Sequence, residues 1–367
     1  GGITALLSLS LIVAAVAMRV AVMPLYGWLP DAHAMAPHAI SAVLSGVLIK
    51  TPLFALYRIL IIMPGGTEAG RLMGYAGAAT ALVAVLIALA QKDTKRLLAY
   101  HSISQIGYIV SAWGAAISAG VSTPIGLALM TAAFLHAFYH ALFKGLLFLT
   151  IGTTTDLAGE RNVYKLRNGA AILYRAGEKF PVTLLCYLTG ALSIMAIPPL
   201  NGYASKAALS YALKGSWQGS LLFAASIGTI ASFIKLTRIY WPEKNAEKKE
   251  LKPGKVHRSI QISQIFLATL CLSLGIYASR FSRFVFILLG DGNSRIKEIP
   301  PDLYSFQNLG KTTIIAAAGV LLFLIISTKA GKKLMFFIRN RPRGFSGLFT
   351  SLALGMAALA LWMIWIK

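Results

Sequence analysis

The sequence predicts an all-α, polytopic membrane protein of about ten transmembrane helices. Three observations predict it. Of 367 residues, 57% are hydrophobic and only 13% charged, against about 25% charged in a soluble domain. The mean hydropathy is +0.69. Apolar runs long enough to cross a bilayer core, which takes about 20 residues as a helix, recur along the whole chain. This composition excludes a soluble domain, and it excludes disorder, which requires low hydrophobicity. Cys186 and Cys271 lie in apolar stretches and offer neither a disulfide framework nor metal-ligand spacing.

Ten segments qualify in order: 3–26, 39–63, 72–91, 97–118, 122–153, 181–213, 216–241, 259–289, 310–328 and 346–366. The first begins directly after Gly1-Gly2, with no signal peptide, so further chain is expected upstream. Three segments, 122–153, 181–213 and 259–289, exceed a straight span, and tilt, a kink or a re-entrant break would absorb the excess. The segment 181–213 carries its own break at Pro198-Pro199, followed by Asn201-Gly202. Two prolines remove two backbone donors. Such a break survives at membrane depth only where protein or a water-filled cavity satisfies the freed groups.

The net charge is +23. In a soluble chain that would suggest nucleic acid, but here the basic residues sit in short loops, so no nucleic-acid partner is expected. With loops assigned alternately to two sides, those at 27–38, 92–96, 154–180, 242–258 and 329–345 hold 20 Lys and Arg, and the opposite side holds 7. Positive charge marks the cytoplasmic side, which makes the first side cytoplasmic and supports the alternation. The polar stretch 243–255 reads as a solvated loop. Asp31, His33 and His38 in GWLPDAHAMAPHA are three ligands without a fourth on a Pro-rich turn, and read as a turn stapled by hydrogen bonds rather than a metal site.

Ionisable residues within a span are costly and mark function by default. Arg19, Lys50, Lys144 and Lys206 stand near the middle of long apolar runs, whereas all twelve acids fall in loops or at span ends. Burial disfavours an ammonium ion, so a buried lysine can take up and release a proton. His136, His140 and Lys144 follow at i, i+4 and i+8, on one helical face and about 6 Å apart along the axis. Imidazoles pass protons between their two nitrogens, so the three read as a relay. Lys206 follows the broken stretch AIPPLNGYASK, and Lys50 stands two residues before Pro52. A guanidinium does not deprotonate, so Arg19 reads as a fixed charge or modulator of neighbouring lysines. His101, Ser102, Ser104 and Gln105 in AYHSISQIGY, and Asn201 in the break, line a hydrated route or act as polar glue between helices. No catalytic residue, metal site or cofactor site is expected in this chain.

Four stretches in register, PLYGWLPDAHAMAPHAISAVLSGVLIK, DTKRLLAYHSISQIGY, LHAFYHALFKGLLFLTIG and IPPLNGYASK, resemble the antiporter-like subunits shared by respiratory complex I, Mrp sodium/proton antiporters and energy-conserving membrane-bound hydrogenases. The resemblance covers roughly residues 10–240. It implies an inverted pair of five-helix bundles, each with a broken helix, around a hydrophilic axis of Lys, His and Glu. The corresponding division here is 1–63, the end of the first half-bundle and a linking helix; 64–241, the second half-bundle; 242–258, a basic cytoplasmic loop; and 259–367, accessory helices. By motif, Lys50 matches the lysine linking the half-channels, His136, His140 and Lys144 the His/Lys helix of the second half, and Lys206 the residue of the second broken helix. Arg19 stands where the family carries a lysine, and the family's first half, with its pairing glutamate, is not in this sequence. No long lateral amphipathic helix follows the last span, which argues against the distal complex I subunit and suits the other complex I antiporter-like subunits or the D-type subunit of Mrp and hydrogenase-like assemblies; the two final spans favour the hydrogenase and Mrp relatives.

The resemblance implies a subunit translocating H+, or Na+, in a redox-driven complex in a prokaryotic inner membrane. Its partners would be other membrane subunits, including antiporter-like ones, and the lipid bilayer. Fe–S, flavin or Ni–Fe centres would lie in partner subunits. A structural subunit that no longer transports is the alternative, and a stand-alone transporter for a small solute is a third reading.

Overall fold

The computed structural model describes residues 2–243, 255–289 and 303–340. The expected segment 346–366, most of the polar stretch 243–255, and Arg295 and Lys297 lie outside the described residues. In order the chain forms α1 (Gly2–Arg19), α2 (Trp28–Met35), α3 (His38–Val43), a π-helical turn (Leu44–Leu48), α4 (Thr51–Leu60), α5 (Gly66–Ala90), α6 (Thr94–Ala119), α7 (Pro124–Ala158), α8 (Gly169–Arg175), α9 (Val182–Ile194), α10 (Asn201–Ala212), α11 (Trp217–Thr237), a 3-10 turn (Arg238–Tyr240), α12 (Arg258–Ile276), α13 (Ala278–Leu289), α14 (Phe306–Ser327) and α15 (Lys329–Asn340). Among the described residues there is no sheet, only an isolated bridge between Asp93 and Asn162.

Among the described residues, six helical stretches are long and apolar enough to cross a membrane: His38–Leu60, Gly66–Ala90, Pro124–Ala158, Trp217–Tyr240, Arg258–Ile276 and Phe306–Ser327. Leu7–Arg19 and Val182–Ile194 are shorter apolar helices. α6, 26 residues long, is buried along nearly its whole length and forms the centre of the bundle with α5 and α7. The protein is an all-α, multi-pass membrane protein, as the composition requires.

Local chemistry sets the helix starts. Asp93 caps α6 by accepting from the Arg96 amide at 2.9 Å. Thr123 caps α7 by accepting from the Gly126 amide at 3.1 Å, with Pro124 in the first turn, where its missing N–H is not needed. Ser216 does the same for α11, from the Gly219 amide at 3.1 Å. With lipid outside and no hydrophobic drive between spans, close packing needs small residues. α5 and α6 meet along Gly70, Gly74 and Gly77 against Gly107 and Gly114. A Cβ on Gly114 would stand 2.3 Å from the Gly74 amide nitrogen.

Among the described residues two spans are broken: the one that Pro198-Pro199 announces and a second that the residues alone did not announce, although the resemblance implies a broken helix in each half. The 27–38 stretch, expected as a loop, is largely the helix α2. Pro30 and Asp31 in its first turn suit a helix N-terminus. α1 and α2 therefore cross the membrane as one interrupted span, as α9 and α10 do around Pro198-Pro199. Both interruptions hold an alanine at positive φ, Ala21 (60°) and Ala196 (61°), and a cis X-Pro bond, Met23-Pro24 and Pro198-Pro199. The sequences AVMPLYG and AIPPLNG align at a constant offset of 175 residues and share Ala, Pro, Leu and Gly. α1–α2 run toward the basic side and α9–α10 away from it, so the two form an inverted repeat.

Candidate functional site

A helix break leaves carbonyls without partners, and each break here finds a different donor. The Trp28 indole donates to Met18 O at 2.7 Å in the first. The Lys206 amine donates to Ile194 O at 2.9 Å in the second. Gly202 is required at the second break, since a Cβ there would stand 1.8 Å from Ser193 O. Lys206 also lies 5.0 Å from the centre of the Tyr108 ring, whose hydroxyl donates to Leu222 O at 2.7 Å. Beside Lys206 is a cavity of about 70 Å³, lined by Tyr108, Ser226, Asn308, Lys311 and Thr312 among others. It is polar enough and large enough for several waters, and it lies toward the side opposite the basic loops.

On α7 the rings of His136 and His140 stack at 6.3 Å, 13° from parallel. His136 Nε2 lies 3.1 Å from Gln105 Oε1 and so donates to it. Nδ1 lies 3.0 Å from Ser205 Oγ, one residue from Lys206. Neither nitrogen of His140 has a hydrogen-bond partner, although the ring is fully buried. One turn on, the Lys144 amine donates to Leu98 O at 2.5 Å. The same carbonyl accepts from Ser102 Oγ at 3.2 Å. Ser102 Oγ meets Ser45 Oγ at 2.7 Å, and Ser45 O accepts from Lys50.

Lys50 stands at the junction of the π-helical turn and α4. A π-turn mid-span frees backbone groups and often marks a functional position. Pro52, without an N–H, sits in the first turn of α4. The α6 link, the α7 face and the α10 start thus order the groups as Lys50, Lys144, His140, His136, Lys206 and the cavity.

The remaining expected residues fall as follows. His101 Nε2 lies 2.8 Å from Ser232 Oγ, on the side of α6 facing α11. Ser104 Oγ donates to Ala81 O at 2.8 Å, tying α6 to α5. Asn201 is fully buried, and its side chain has no nitrogen or oxygen partner. Arg19 is exposed, on the open side of α1 about a quarter-turn or more from the stripe of Leu7, Leu11 and Met18, and is not among the axis groups. Asp31 and His38 do staple their segment, but across to the ends of α6 and α7, through Arg96 at 2.9 Å and Asp156 at 2.8 Å. His33 is fully buried and stacks on Phe148 at 4.6 Å, with neither ring nitrogen partnered. Phe148 in turn lies 5.3 Å from the Lys144 amine.

Sequence reasoning missed Lys235, which is buried at the basic end of α11. Its amine donates to Leu89 O at 2.6 Å and Gln91 O at 2.9 Å, a cation closing the C-terminus of α5. It stands near the end of its span, where lysines are ordinary, and no sequence signal separated it from those. Ser45 and Ser205 were also missed. A hydroxyl in an apolar run signals only that a partner is nearby. Among the described residues the ion pairs are His38–Asp156, Arg96–Asp31 and Arg161–Asp93, all at the basic face. Lys50, Lys144, Lys206 and Lys235 each rest on backbone carbonyls instead. Among the described residues no group of three His, Cys, Asp or Glu is placed to hold a metal ion.

The comparisons agree with this architecture. Residues 1–235 match the family described as NADH:quinone oxidoreductase/Mrp antiporter, TM. The chain is 31% identical to hydrogenase-4 component B of Escherichia coli (strain K12) over 71% of this chain and 41% of that protein. It is 33% identical to NADH-quinone oxidoreductase subunit N of Desulforudis audaxviator (strain MP104C) over 68% and 47%. It therefore spans less than half the length of these curated relatives. The structure of the Mrp complex from Dietzia sp. DQ12-45-1b superimposes on the fold with a TM-score of 0.65, at 22% identity, over 84% of this chain and 61% of that one. On the match of its first 235 residues, carrying both broken spans and the His/Lys helix, the chain belongs to the NADH:quinone oxidoreductase/Mrp antiporter transmembrane family.

Proposed function

We propose that the chain is a proton-translocating subunit of a multisubunit membrane complex, and that Lys50, Lys144, His140, His136 and Lys206 carry the proton in that order or its reverse. The observation that carries this reading is the order of polar groups from the π-turn to the cavity, interrupted in hydrogen bonding only at His140, whose ring nitrogens have no partner, with amines resting on carbonyls rather than on carboxylates. An amine bonded to a carbonyl keeps its lone pair or its extra proton available. An amine locked to a carboxylate stays charged. The axis supplies nitrogen donors and hydroxyls, whereas a bare alkali cation needs a cage of oxygens, so H+ is favoured over Na+. The relatives bear the names of hydrogenase, NADH-quinone oxidoreductase and Na+/H+ antiporter subunits, which supports partner subunits holding any redox centres. Two unit charges ~8 Å apart interact by about 2 kcal/mol at an effective dielectric near 20. A proton arriving at Lys144 therefore favours release from its neighbours, and coupled groups titrate as one system.

Arg19 fits a role at the edge of the site. The open side of α1, with Leu7, Leu11 and Met18 exposed on it, is suited to cover by further helices, of this chain or of a partner. The Ser45–Ser102 bridge supplies the test of the order. Ser102→Ala removes the hydroxyl between Lys50 and Lys144 without adding bulk. Proton translocation by the full chain with its partner subunits in sealed membrane vesicles is expected to fall by about tenfold or more, at unchanged abundance. An unchanged rate would remove the Lys50–Lys144 step from the proposal.

A further inference from the structure

Away from the axis, the basic face gathers arginines and aromatic rings at one corner. α11 ends at Thr237, and Arg238 opens the 3-10 turn that follows. The Arg238 guanidinium carbon lies 5.8 Å from the centre of the Trp241 ring, and Arg238 Nε is buried without a hydrogen-bond partner. Arg167, from the connection between α7 and α8, donates to Val163 O at 2.9 Å and Leu166 O at 2.6 Å, which fixes its guanidinium. Arg339 of α15 lies 5.3 Å from the Phe336 ring. Tyr164 lies at the same corner: its ring centre is 5.9 Å from the Lys235 amine, one turn beyond Ala231 on α11, and the Asn168 amide donates to Trp241 O at 3.0 Å, which holds the Arg167 connection against the Arg238 turn. None of the three ion pairs among the described residues engages these arginines. Glu243 is the described carboxylate within reach of Arg167.

α15 explains why this corner faces lipid rather than bulk water. It follows directly on α14, a 22-residue apolar helix that is only 6% buried. Met335 of α15 packs on Leu89, Ala90 and Ala231, which pins the helix to the ends of α5 and α11. Its other faces expose Lys329, Lys332 and Lys333 together with Leu334 and Phe336, 54% and 56% exposed. A short helix carrying lysines and exposed apolar side chains at the end of a lipid-facing span lies in the headgroup layer. Trp241 and Tyr164, 47% and 43% exposed, are the side chains that favour that layer.

We propose that Arg167, Arg238 and Arg339 form a binding site for the phosphate of an anionic phospholipid on the basic side of the membrane, with its acyl chains laid against Leu334, Phe336 and α14. Guanidinium groups bind phosphate oxygens through paired N–H donors, and basic pockets at the ends of spans select anionic headgroups. The site does not depend on the transport reading.

The test uses the purified full chain in mild detergent, stripped of lipid and titrated in turn with phosphatidylglycerol, cardiolipin and phosphatidylcholine, with bound lipid counted by native mass spectrometry. The wild type is expected to retain the two anionic lipids over phosphatidylcholine. Arg339→Gln, on the helix surface, is expected to weaken anionic binding by about fivefold, and Arg238→Gln with Arg339→Gln by about 25-fold. Phosphatidylcholine binding should be unchanged in both, and Arg58→Gln, on the opposite side, should behave as wild type. Equal binding of all three lipids by the wild type would overturn the proposal. So would an Arg339→Gln protein of wild-type thermal stability that keeps the full preference.

Discussion

Lys206→Ala is expected to abolish proton translocation while leaving the complex assembled. Lys206 is the only axis group that both borders the cavity and satisfies the broken span, through Ile194 O. Removing the amine cuts the relay between His136, through Ser205, and the waters that the cavity can hold. One lost hydrogen bond to a carbonyl costs about 1 kcal/mol, too little to unfold a bundle of this size, and the carbonyl left behind can turn to cavity water. The loss of transport should be at least about a hundredfold, the scale of a removed acid–base group. Translocation in sealed vesicles, together with the abundance of the assembled complex, checks both halves of the expectation. Wild-type transport in this variant would take Lys206 out of the pathway. Loss of assembly would make it a strut.

Gly275→Ala is expected to destabilise the fold strongly. α12 crosses the second broken span at this glycine, and a Cβ would stand 2.0 Å from Pro199 O, 2.6 Å from Leu200 C and 2.7 Å from the Asn201 amide nitrogen. These are backbone atoms of the break, so no side-chain rotation relieves the clash. The Gly275 carbonyl also accepts from the Tyr304 hydroxyl at 2.5 Å, which ties the same point to the segment before α14. Overpacking of this kind costs about 3 kcal/mol, and the strain would fall on the break that sets Lys206 and Asn201. Thermal unfolding of the purified chain should shift down by several degrees, with transport lost in parallel. Gly310→Ala is the control. Nothing lies within 4 Å of the added Cβ, and a helix favours Ala over Gly by up to about 1 kcal/mol, so that variant should be as stable as wild type or slightly more so. Equal behaviour of the two variants would mean that α12 does not bear on the break.

Much of this organisation was legible in the sequence because it follows from solvent. A long apolar run in a bilayer has to be a helix, so the spans follow from hydropathy, and Pro198-Pro199 announces an interruption because it removes donors. The i, i+4, i+8 spacing of His136, His140 and Lys144 fixes a shared face before any packing is known. The first broken span was not legible in the same way. AVMPLYG has a single proline, Pro24, and its helix α2 carries Asp31 and His33, so polarity there reads as a loop. The family resemblance implied a break in this half, and alignment with AIPPLNG locates it. The hydroxyl bridge from Ser45 to Ser102 and the carbonyl cradle of Lys235 were hidden for another reason. They are contacts between helices far apart in sequence, and residue type alone does not choose among the partners that a buried hydroxyl or amine could find. Arg19 shows the converse: its sequence position suggests an axis group, but the rotation of α1 turns it outward.

The most direct measurement is a high-resolution structure of the chain within its native membrane complex, detailed enough to show ordered water. Waters joining Lys50, His140 and Lys206, with no carboxylate from any subunit within about 4 Å of those amines, is the predicted result. A dry, fully packed axis, or amines each paired to a carboxylate of a neighbouring subunit, would contradict it.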